Sequence, residues 1–217
     1  MSDEYSLTYG KSAELPARRY SYEVRLNRVA RALACGNGSV LDIGSATADY
    51  AIDLARIGFT VTCLDINRND LITAKGKQEE IALVAGTAAS LPFADSCFDS
   101  MIVLNAFRYF EFQERVLREC RRVLKKNGSL LIMEHNKHCP DTVFIRKNVV
   151  RYSSSGELAG MLVNNGFQIK TNEMQFIPPP ILPKSILGLA ARISDGFRET
   201  LVGRVFPEFF LHAIRRE

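Results

Sequence analysis

The residues that decide the fold read VLDIGSATADYAIDLA and occupy positions 40–55. The apolar run from Ser39 to Gly44 predicts a short buried strand. Gly44 itself predicts a tight turn, because glycine adopts backbone conformations that other residues avoid. The stretch from Asp49 to Ile57 repeats apolar side chains at helical spacing and stops at Gly58, so it predicts a helix. This order predicts the first unit of an alternating α/β chain.

The rest of the chain continues the alternation. Further strands are predicted at Phe59–Asp65, Ile81–Gly86, Phe98–Leu104, Ser129–Glu134, Phe167–Asn172 and Phe206–Arg215. Helices are predicted at Ala17–Ala34, Asn67–Glu80, Glu111–Lys126, Ser155–Asn165 and Lys184–Thr200. Such a chain forms a doubly wound, mostly parallel sheet with helices on both faces. We therefore expect an α/β fold of seven strands, with the last strand antiparallel.

Length and composition fit one domain. The chain has 217 residues, of which 47% are hydrophobic and 24% are charged, as in an average globular protein. We expect a single domain over residues 1–217, with an N-terminal helical segment (1–37) and a core (38–172). Residues 173–205 are expected to cover the sheet edge or a site, because long connections in compact domains are often functional. An ordinary long connection is the alternative.

Cysteine usage and net charge narrow the expected location and partners of the protein. The five cysteines are odd in number and include no C-x-x-C pair, so reduced thiols in a cytoplasmic protein are the simplest interpretation. No run approaches the ~18 apolar residues of a membrane-spanning helix. The net charge of +4 arises from mixed signs without a basic stripe, and DNA is not an expected partner.

Polar residues follow the first three predicted strands, where open parallel sheets bind ligands. Asp42 and Gly44 lie at the first turn, and Asp65 lies near the end of the second strand, 23 residues after Asp42. A carboxylate there can accept hydrogen bonds from both hydroxyl groups of a ribose. Thr87 and Ala88 follow the third strand, where an adenine would lie.

The first turn also distinguishes between two cofactors. A dinucleotide needs the glycines of G-x-G-x-x-G beside its pyrophosphate. This turn has one glycine, and Asp42 would repel a diphosphate. S-adenosylmethionine carries no phosphate, and its ammonium group needs a carboxylate or carbonyl partner. The turn therefore favours S-adenosylmethionine.

Four sequence blocks resemble the class I S-adenosylmethionine-dependent methyltransferases. They are VLDIGSATADYAIDLA (40–55), VTCLDIN (61–67), AGTAASLPFADSCFDSMIV (85–103) and LRECRRVLKKNGSLLIME (117–134). The chain looks most similar to the small-molecule branch that includes enzymes of the ubiquinone/menaquinone-biosynthesis type. The blocks span under half of the chain, and they imply a Rossmann-like fold with S-adenosylmethionine as cofactor.

The resemblance implies a set of cofactor-binding residues that lie after four strands. They are Asp42, Gly44, Ser45, Ala46, Asp65, Ile66, Thr87, Ala88 and Asn105. The chain departs from the family pattern at Ala46 and Ala48, where glycine is usual, and at Thr87, where aspartate is usual. Each alanine adds a methyl group to the turn, and Thr87 accepts a hydrogen bond from adenine without a charge.

Candidates for substrate binding and catalysis follow the fourth and fifth strands. Arg108 stands where the branch often has histidine, and its planar charged fork suits a carboxylate or phosphate. We therefore expect an anionic or lipid-like acceptor, with Tyr109 and Tyr20 as further substrate contacts. His135 and Tyr109 are the candidate bases. A surface pair of Arg108 and Tyr109 is the alternative, and no metal site is expected.

These observations predict an S-adenosylmethionine-dependent methyltransferase that acts on a small molecule. A methyltransferase of the same fold that acts on RNA or protein is one alternative. A cofactor-binding module without catalysis is the other, and the missing glycines and Thr87 favour it.

Overall fold

The computed structural model describes residues 16–33, 38–77, 81–139, 151–175 and 207–216. Its helices are α1 (Pro16–Leu33), α2 (Asp49–Arg56), α3 (Arg68–Lys77), α4 (Gln113–Val123) and α5 (Ser155–Asn164). Its strands are β1 (Ser39–Ile43), β2 (Thr60–Asp65), β3 (Ala82–Ala85), β4 (Phe98–Leu104), β5 (Leu124–His135), β6 (Phe167–Gln175) and β7 (Glu208–Arg215). A 3-10 turn, Phe107–Tyr109, lies between β4 and α4.

The seven described strands form one sheet in the order β3-β2-β1-β4-β5-β7-β6. Strands β1 to β5 are parallel, while β7 is antiparallel to both β5 and β6. The chain winds outward from β1 to β3 and returns on the other side of β1 with β4, so the strand order reverses there. The predicted Rossmann-like sheet with an antiparallel last strand is confirmed.

Helices pack on both faces of the sheet, and β1 shows why its sequence is apolar. Leu41 and Ile43 belong to the apolar cluster that includes α4 and α5, while Val40 belongs to the cluster that includes α1, α2 and α3. Because a central parallel strand is covered on both sides, it carries apolar residues almost throughout. Asp42 interrupts this run, and its carboxyl group is buried with the apolar residues around it.

The structure corrects the predicted boundary between α4 and β5. The helix predicted from Glu111 to Lys126 ends at Val123, because Leu124 takes an extended conformation (φ −76°, ψ 137°). Leu124 pairs with Phe98 at the start of β4, and the register then shifts before Ser129 pairs with Ser100. Pairing with a neighbouring strand thus overrides the helical preference of the local sequence.

Strand β6 is longer than predicted. It continues to Gln175, and its last three residues pair with β7, although the predicted cover begins at residue 173. The rest of that segment, with the helix predicted at Lys184–Thr200, lies outside the described residues, so the cover stays a prediction. None of the described helices is long and apolar enough to cross a membrane.

Candidate functional site

A cavity of about 620 Å³ lies at the carboxyl ends of the parallel strands. The turns after β1, β2, β3 and β4 all line it, and they contribute Gly44, Asp65, Thr87 and Asn105 respectively. This is the place where the reversal of strand order leaves room for a ligand. Every residue of the predicted cofactor set lines the cavity except Asp42, which is buried behind the wall.

The turn after β1 approaches its neighbours closely at Gly44. Its φ is 74°, and its backbone N–H donates to the carbonyl oxygen of Leu64 at 2.8 Å. A Cβ atom on Gly44 would lie 2.5 Å from the Cβ of Ala106, in the segment after β4. Glycine therefore allows both the turn and this contact.

Ala46 and Ala48 adopt the left-handed conformation that glycine takes most readily. Their φ angles are 47° and 59°, a region that costs an L-residue roughly 1–2 kcal/mol. Ala46 is exposed in the cavity wall, whereas the Ala48 methyl group is buried in the apolar cluster on the α2 side. The departure from the glycine pattern is therefore compatible with a turn of this shape.

The two alanines provide a matched pair for measuring the contribution of the buried Ala48 methyl group. We expect Ala46→Gly to leave the protein about 1 kcal/mol more stable than Ala48→Gly, since only the second change removes a buried methyl group. Relief of backbone strain and the added entropy of the unfolded chain affect both variants alike. Urea denaturation of the two variants measures the difference, and equal stabilities would contradict the buried packing of Ala48.

Asp65 connects the turn after β1 to the end of β2. Its Oδ2 accepts a hydrogen bond from the N–H of Ala46, and its Oδ1 accepts one from the N–H of Asn67, both at 2.8 Å. A carboxylate has about four lone-pair sites, so both oxygens keep capacity for hydroxyl donors of a ligand. Asp65 is half-buried and lines the cavity.

Asp42 lies behind the cavity wall on β1. Burial, followed by the charge of Asp65, raises the pKa of Asp42 to about 8. In the absence of a cation the carboxyl group is therefore mostly protonated at neutral pH. A positively charged ligand nearby would favour its ionised form.

The raised pKa of Asp42 predicts a pH dependence of stability. An aspartate of the unfolded chain loses its proton near pH 4, whereas the folded protein keeps the Asp42 proton up to about pH 8. Stability should therefore fall as pH rises through this window, by on the order of 1 kcal/mol per pH unit, and level off above it. Because Asp42→Asn removes the titration, the stability difference between parent and variant should shift between pH 5 and 8. A constant difference would contradict the assignment.

The residues after β2 and β3 form the side of the cavity predicted to hold adenine. Ile66 is 77% exposed, which is unusual for a large apolar side chain, and Ala88 is buried. The Thr87 hydroxyl accepts a weak hydrogen bond from the N–H of Ala89 at 3.3 Å. These side chains offer an apolar surface and a neutral hydroxyl group to a planar ligand.

Asn105 supplies an unsatisfied polar atom at the end of β4. Its φ is 57°, and its backbone N–H donates to the carbonyl oxygen of Met133 at 2.8 Å. The side-chain Oδ1 is buried and has no hydrogen-bond partner within the described parts of the chain. Buried acceptors rarely stay unpaired, so this atom fits a ligand that donates a hydrogen bond into the cavity.

Arg108 is neither an unpaired guanidinium group available to a substrate nor a surface residue, which were the two alternatives that the sequence suggested. It lines the cavity and is 5% exposed. Its Nη1 forms an ion pair with the Oε1 of Glu134, whose side chain is 1% exposed. Burial opposes its charge, but Glu134 and Tyr109 raise the pKa of Arg108 above its usual value. This contact removes the reason for predicting an anionic acceptor.

The structure places the other predicted substrate and catalytic residues apart from one another. Tyr109 lines the cavity, and the guanidinium of Arg108 lies 4.5 Å from the centre of its ring. Tyr20 on α1 and His135 at the end of β5 are not in the cavity wall. The His135 Nε2 lies 3.7 Å from Glu208 Oε1, and burial lowers the pKa of this histidine. The described residues thus hold His135 against β7.

The cavity is acidic, and sequence reasoning missed most of its carboxylates. Asp49, Asp70 and Glu111 line it together with Asp65, whereas Arg108 is its basic lining residue within the described chain. Burial, followed by the charge of Asp65, raises the pKa of Asp70. Two of these carboxylates could have been predicted from the sequence, since Asp49 and Asp70 lie in the first turns of helices that begin at this edge of the sheet.

Fold and site together define an open α/β domain with an acidic cavity at the carboxyl ends of its parallel strands. Comparison with known proteins narrows this class. Residues 41–132 match the family profile described as a methyltransferase domain. This match confirms the resemblance drawn from the four sequence blocks.

Two curated relatives show the extent of the sequence similarity. A demethylmenaquinone methyltransferase of Thermotoga maritima is 41% identical over 97 residues, which are 44% of this chain and 42% of that protein. The ubiquinone/menaquinone biosynthesis C-methyltransferase UbiE of Haemophilus ducreyi is 30% identical over 135 residues, 58% of this chain and 52% of that protein. The chain spans about half the length of the curated relatives it matches.

Two solved structures share the fold. A SAM-dependent methyltransferase from Thermotoga maritima superposes with a TM-score of 0.71 at 18% identity, over 99% of this chain and 97% of that one. The [4+2]-cyclase SpnF superposes with a TM-score of 0.69 at 21% identity, over 88% and 79%. At these identities the likeness concerns the fold alone, so the activity has to be argued from the site.

Proposed function

We propose that the protein transfers a methyl group from S-adenosylmethionine to a small acceptor. The observation that carries the proposal is the acidic cavity at the carboxyl ends of the strands, with Asp65 at the end of β2. The match of residues 41–132 to the methyltransferase-domain profile supports it. A cytoplasmic location, expected from the cysteine pattern, stays a prediction.

The residues of the cavity fit this cofactor. When bound, S-adenosylmethionine supplies a methyl group on a positively charged sulfur. Asp65 would accept the ribose hydroxyls with the lone pairs that Ala46 and Asn67 leave open. The unpaired Oδ1 of Asn105 would accept from the ammonium group. The surrounding carboxylates favour a cation over a diphosphate.

The acceptor would lie beside the segment after β4. Tyr109, Phe110 and Phe112 line that part of the cavity, and Phe112 is 57% exposed. Aromatic side chains suit a flat, apolar ring. The chain would align this ring with the methyl group and exclude water. For an acceptor that arrives protonated, Tyr109 is the proposed proton acceptor.

We propose a neutral aromatic acceptor of the quinol type. The names of the matched relatives are those of quinone-biosynthesis methyltransferases, and the aromatic wall agrees with such a substrate. An RNA acceptor is disfavoured, because the carboxylates of the described wall would repel phosphate groups.

Calorimetry and a transfer assay test the proposal in two stages. S-adenosylmethionine and S-adenosylhomocysteine should each give binding heat and raise the melting temperature. The enzyme should then transfer labelled methyl groups to a reduced, demethylated naphthoquinone. Absence of binding at millimolar cofactor would overturn the proposal, and binding without transfer to any acceptor in a metabolite screen would favour the cofactor-binding module.

A further inference from the structure

The carboxylate of Glu134 is buried at the end of β5 and is shared among three donors. Its Oε1 accepts from Arg108 Nη1 and, at 2.8 Å, from the backbone N–H of His135. Its Oε2 accepts from the backbone N–H of Arg108 at 3.0 Å. Glu134 is 1% exposed and does not line the cavity. The Glu134 side chain therefore binds the 3-10 turn through both the backbone N–H and the guanidinium group of Arg108.

This turn carries Tyr109, one of the aromatic residues of the cavity wall. The Arg108 guanidinium lies over the Tyr109 ring, with 4.5 Å between the charge centre and the ring centre. The Nε2 of Gln113 donates to the carbonyl oxygen of Phe107 at 3.0 Å, and the N–H of Arg151 donates to that of Arg108 at 3.1 Å. Among these contacts, the one with Glu134 supplies the charge that keeps the buried guanidinium in place.

Stability alone does not explain this arrangement. A buried ion pair is often no more stable than an apolar pair of similar volume, so its presence beside a cavity invites a functional explanation. The same end of the sheet holds a second, partly buried pair, in which Glu208 accepts from Arg25 Nε and Nη2 at 2.9 and 2.7 Å. Neither Arg25 nor Glu208 lines the cavity, so this pair is a natural control.

We propose that Glu134 is a positioning residue for the acceptor side of the cavity. It holds Arg108, and Arg108 holds the Tyr109 ring where the acceptor binds. Because Glu134 already neutralises Arg108, the pair presents an oriented aromatic wall rather than a binding charge. This inference rests on the proposed function for its kinetic consequence, but its structural consequence is measurable without any ligand.

The first test follows the Tyr109 ring directly. The protein is labelled with 3-fluorotyrosine, and the Tyr109 resonance is assigned by its loss in Tyr109→Phe. Glu134→Gln should shift or broaden this ¹⁹F resonance, while Glu208→Gln should leave it unchanged. An unchanged Tyr109 resonance in Glu134→Gln would overturn the inference, whether or not the protein proves to be a methyltransferase.

The second test separates positioning from cofactor binding. In Glu134→Gln, kcat/KM for the reduced naphthoquinone should fall at least tenfold, while the Kd of S-adenosylhomocysteine stays within twofold of the parent value. Glu208→Gln should change neither quantity by that much. Equal losses in both variants, or a weakened cofactor in Glu134→Gln, would assign Glu134 a merely structural role.

A pair of double variants covers the case in which a lone buried arginine prevents folding. Arg108→Met/Glu134→Met and Arg25→Met/Glu208→Met each remove a whole ion pair, and apolar replacement of a buried pair is tolerated in other proteins. Only the first double variant should move the Tyr109 resonance and lower kcat/KM. The same response in both would contradict a specific role for Glu134.

Discussion

Replacing Gly44 with alanine is expected to lower the free energy of unfolding by about 3 kcal/mol. Its φ of 74° costs a residue with a side chain about 1–2 kcal/mol. The new methyl group would also lie 2.5 Å from the Cβ of Ala106, and overpacking of this kind costs about 1–3 kcal/mol. Neither carbon has a flexible end that moves aside, so the turns after β1 and β4 have to separate.

Substitutions at two other glycines separate the effect of backbone strain from the effect of the steric clash. Gly58 has φ 102° with nothing within 4 Å of an added Cβ, and Gly76 near the end of α3 has neither a positive φ nor a close neighbour. Gly58→Ala should therefore cost about 1 kcal/mol from strain alone. Gly76→Ala should stabilise the protein by about 0.5 kcal/mol, because alanine is the better helix former. Urea denaturation of the three variants ranks them, and a Gly44 variant as stable as the Gly58 variant would rule out the clash.

Replacing Asp65 with alanine is expected to weaken cofactor binding by about 2–3 kcal/mol, which is roughly 30- to 150-fold. The two ribose hydroxyl groups would lose their hydrogen-bond acceptor. The N–H of Ala46, in the turn after β1, would lose its acceptor as well. Titration calorimetry with S-adenosylhomocysteine measures the effect. Asp95→Ala is the control, since Asp95 is an exposed carboxylate paired with Arg122 away from the cavity.

A ribose analogue separates the two contributions of Asp65. The 2′-deoxyribose form of S-adenosylhomocysteine should bind the parent more weakly than the natural compound. In Asp65→Ala the two ligands should bind almost equally, because the hydroxyl has lost its partner. If the parent binds both ligands alike, the ribose lies elsewhere and Asp65 only shapes the turn.

Much of the cofactor side of the site is predictable from the sequence because it is local. Its residues lie at or just after the carboxyl end of a strand, and the carboxyl ends of parallel strands meet at one edge of the sheet. Gly44, Asp65 and Asn105 therefore come together once the strands are recognised. The same argument would have added Asp49 and Asp70, which lie in the first turns of the helices after β1 and β2.

The acceptor side is less predictable because it depends on contacts between distant residues. Glu134 and His135 are neighbours on β5, and successive side chains of a strand point to opposite faces. The Glu134 side chain therefore contacts Arg108, whereas the His135 side chain lies near Glu208. Nothing near Arg108 in the sequence shows that a carboxylate 26 residues later neutralises it.

The sequence by itself determined the alternation of strands and helices, the glycine turn after β1 and the carboxylate at the end of β2. These features follow from local periodicity and from the backbone freedom of glycine, and both act over a few residues. Only the tertiary structure decided that α4 ends at Val123, that Asp42 is buried with a raised pKa, and that Arg108 is paired. Each of these depends on strand pairing, burial or charge contributed by residues far along the chain, which a local pattern does not contain.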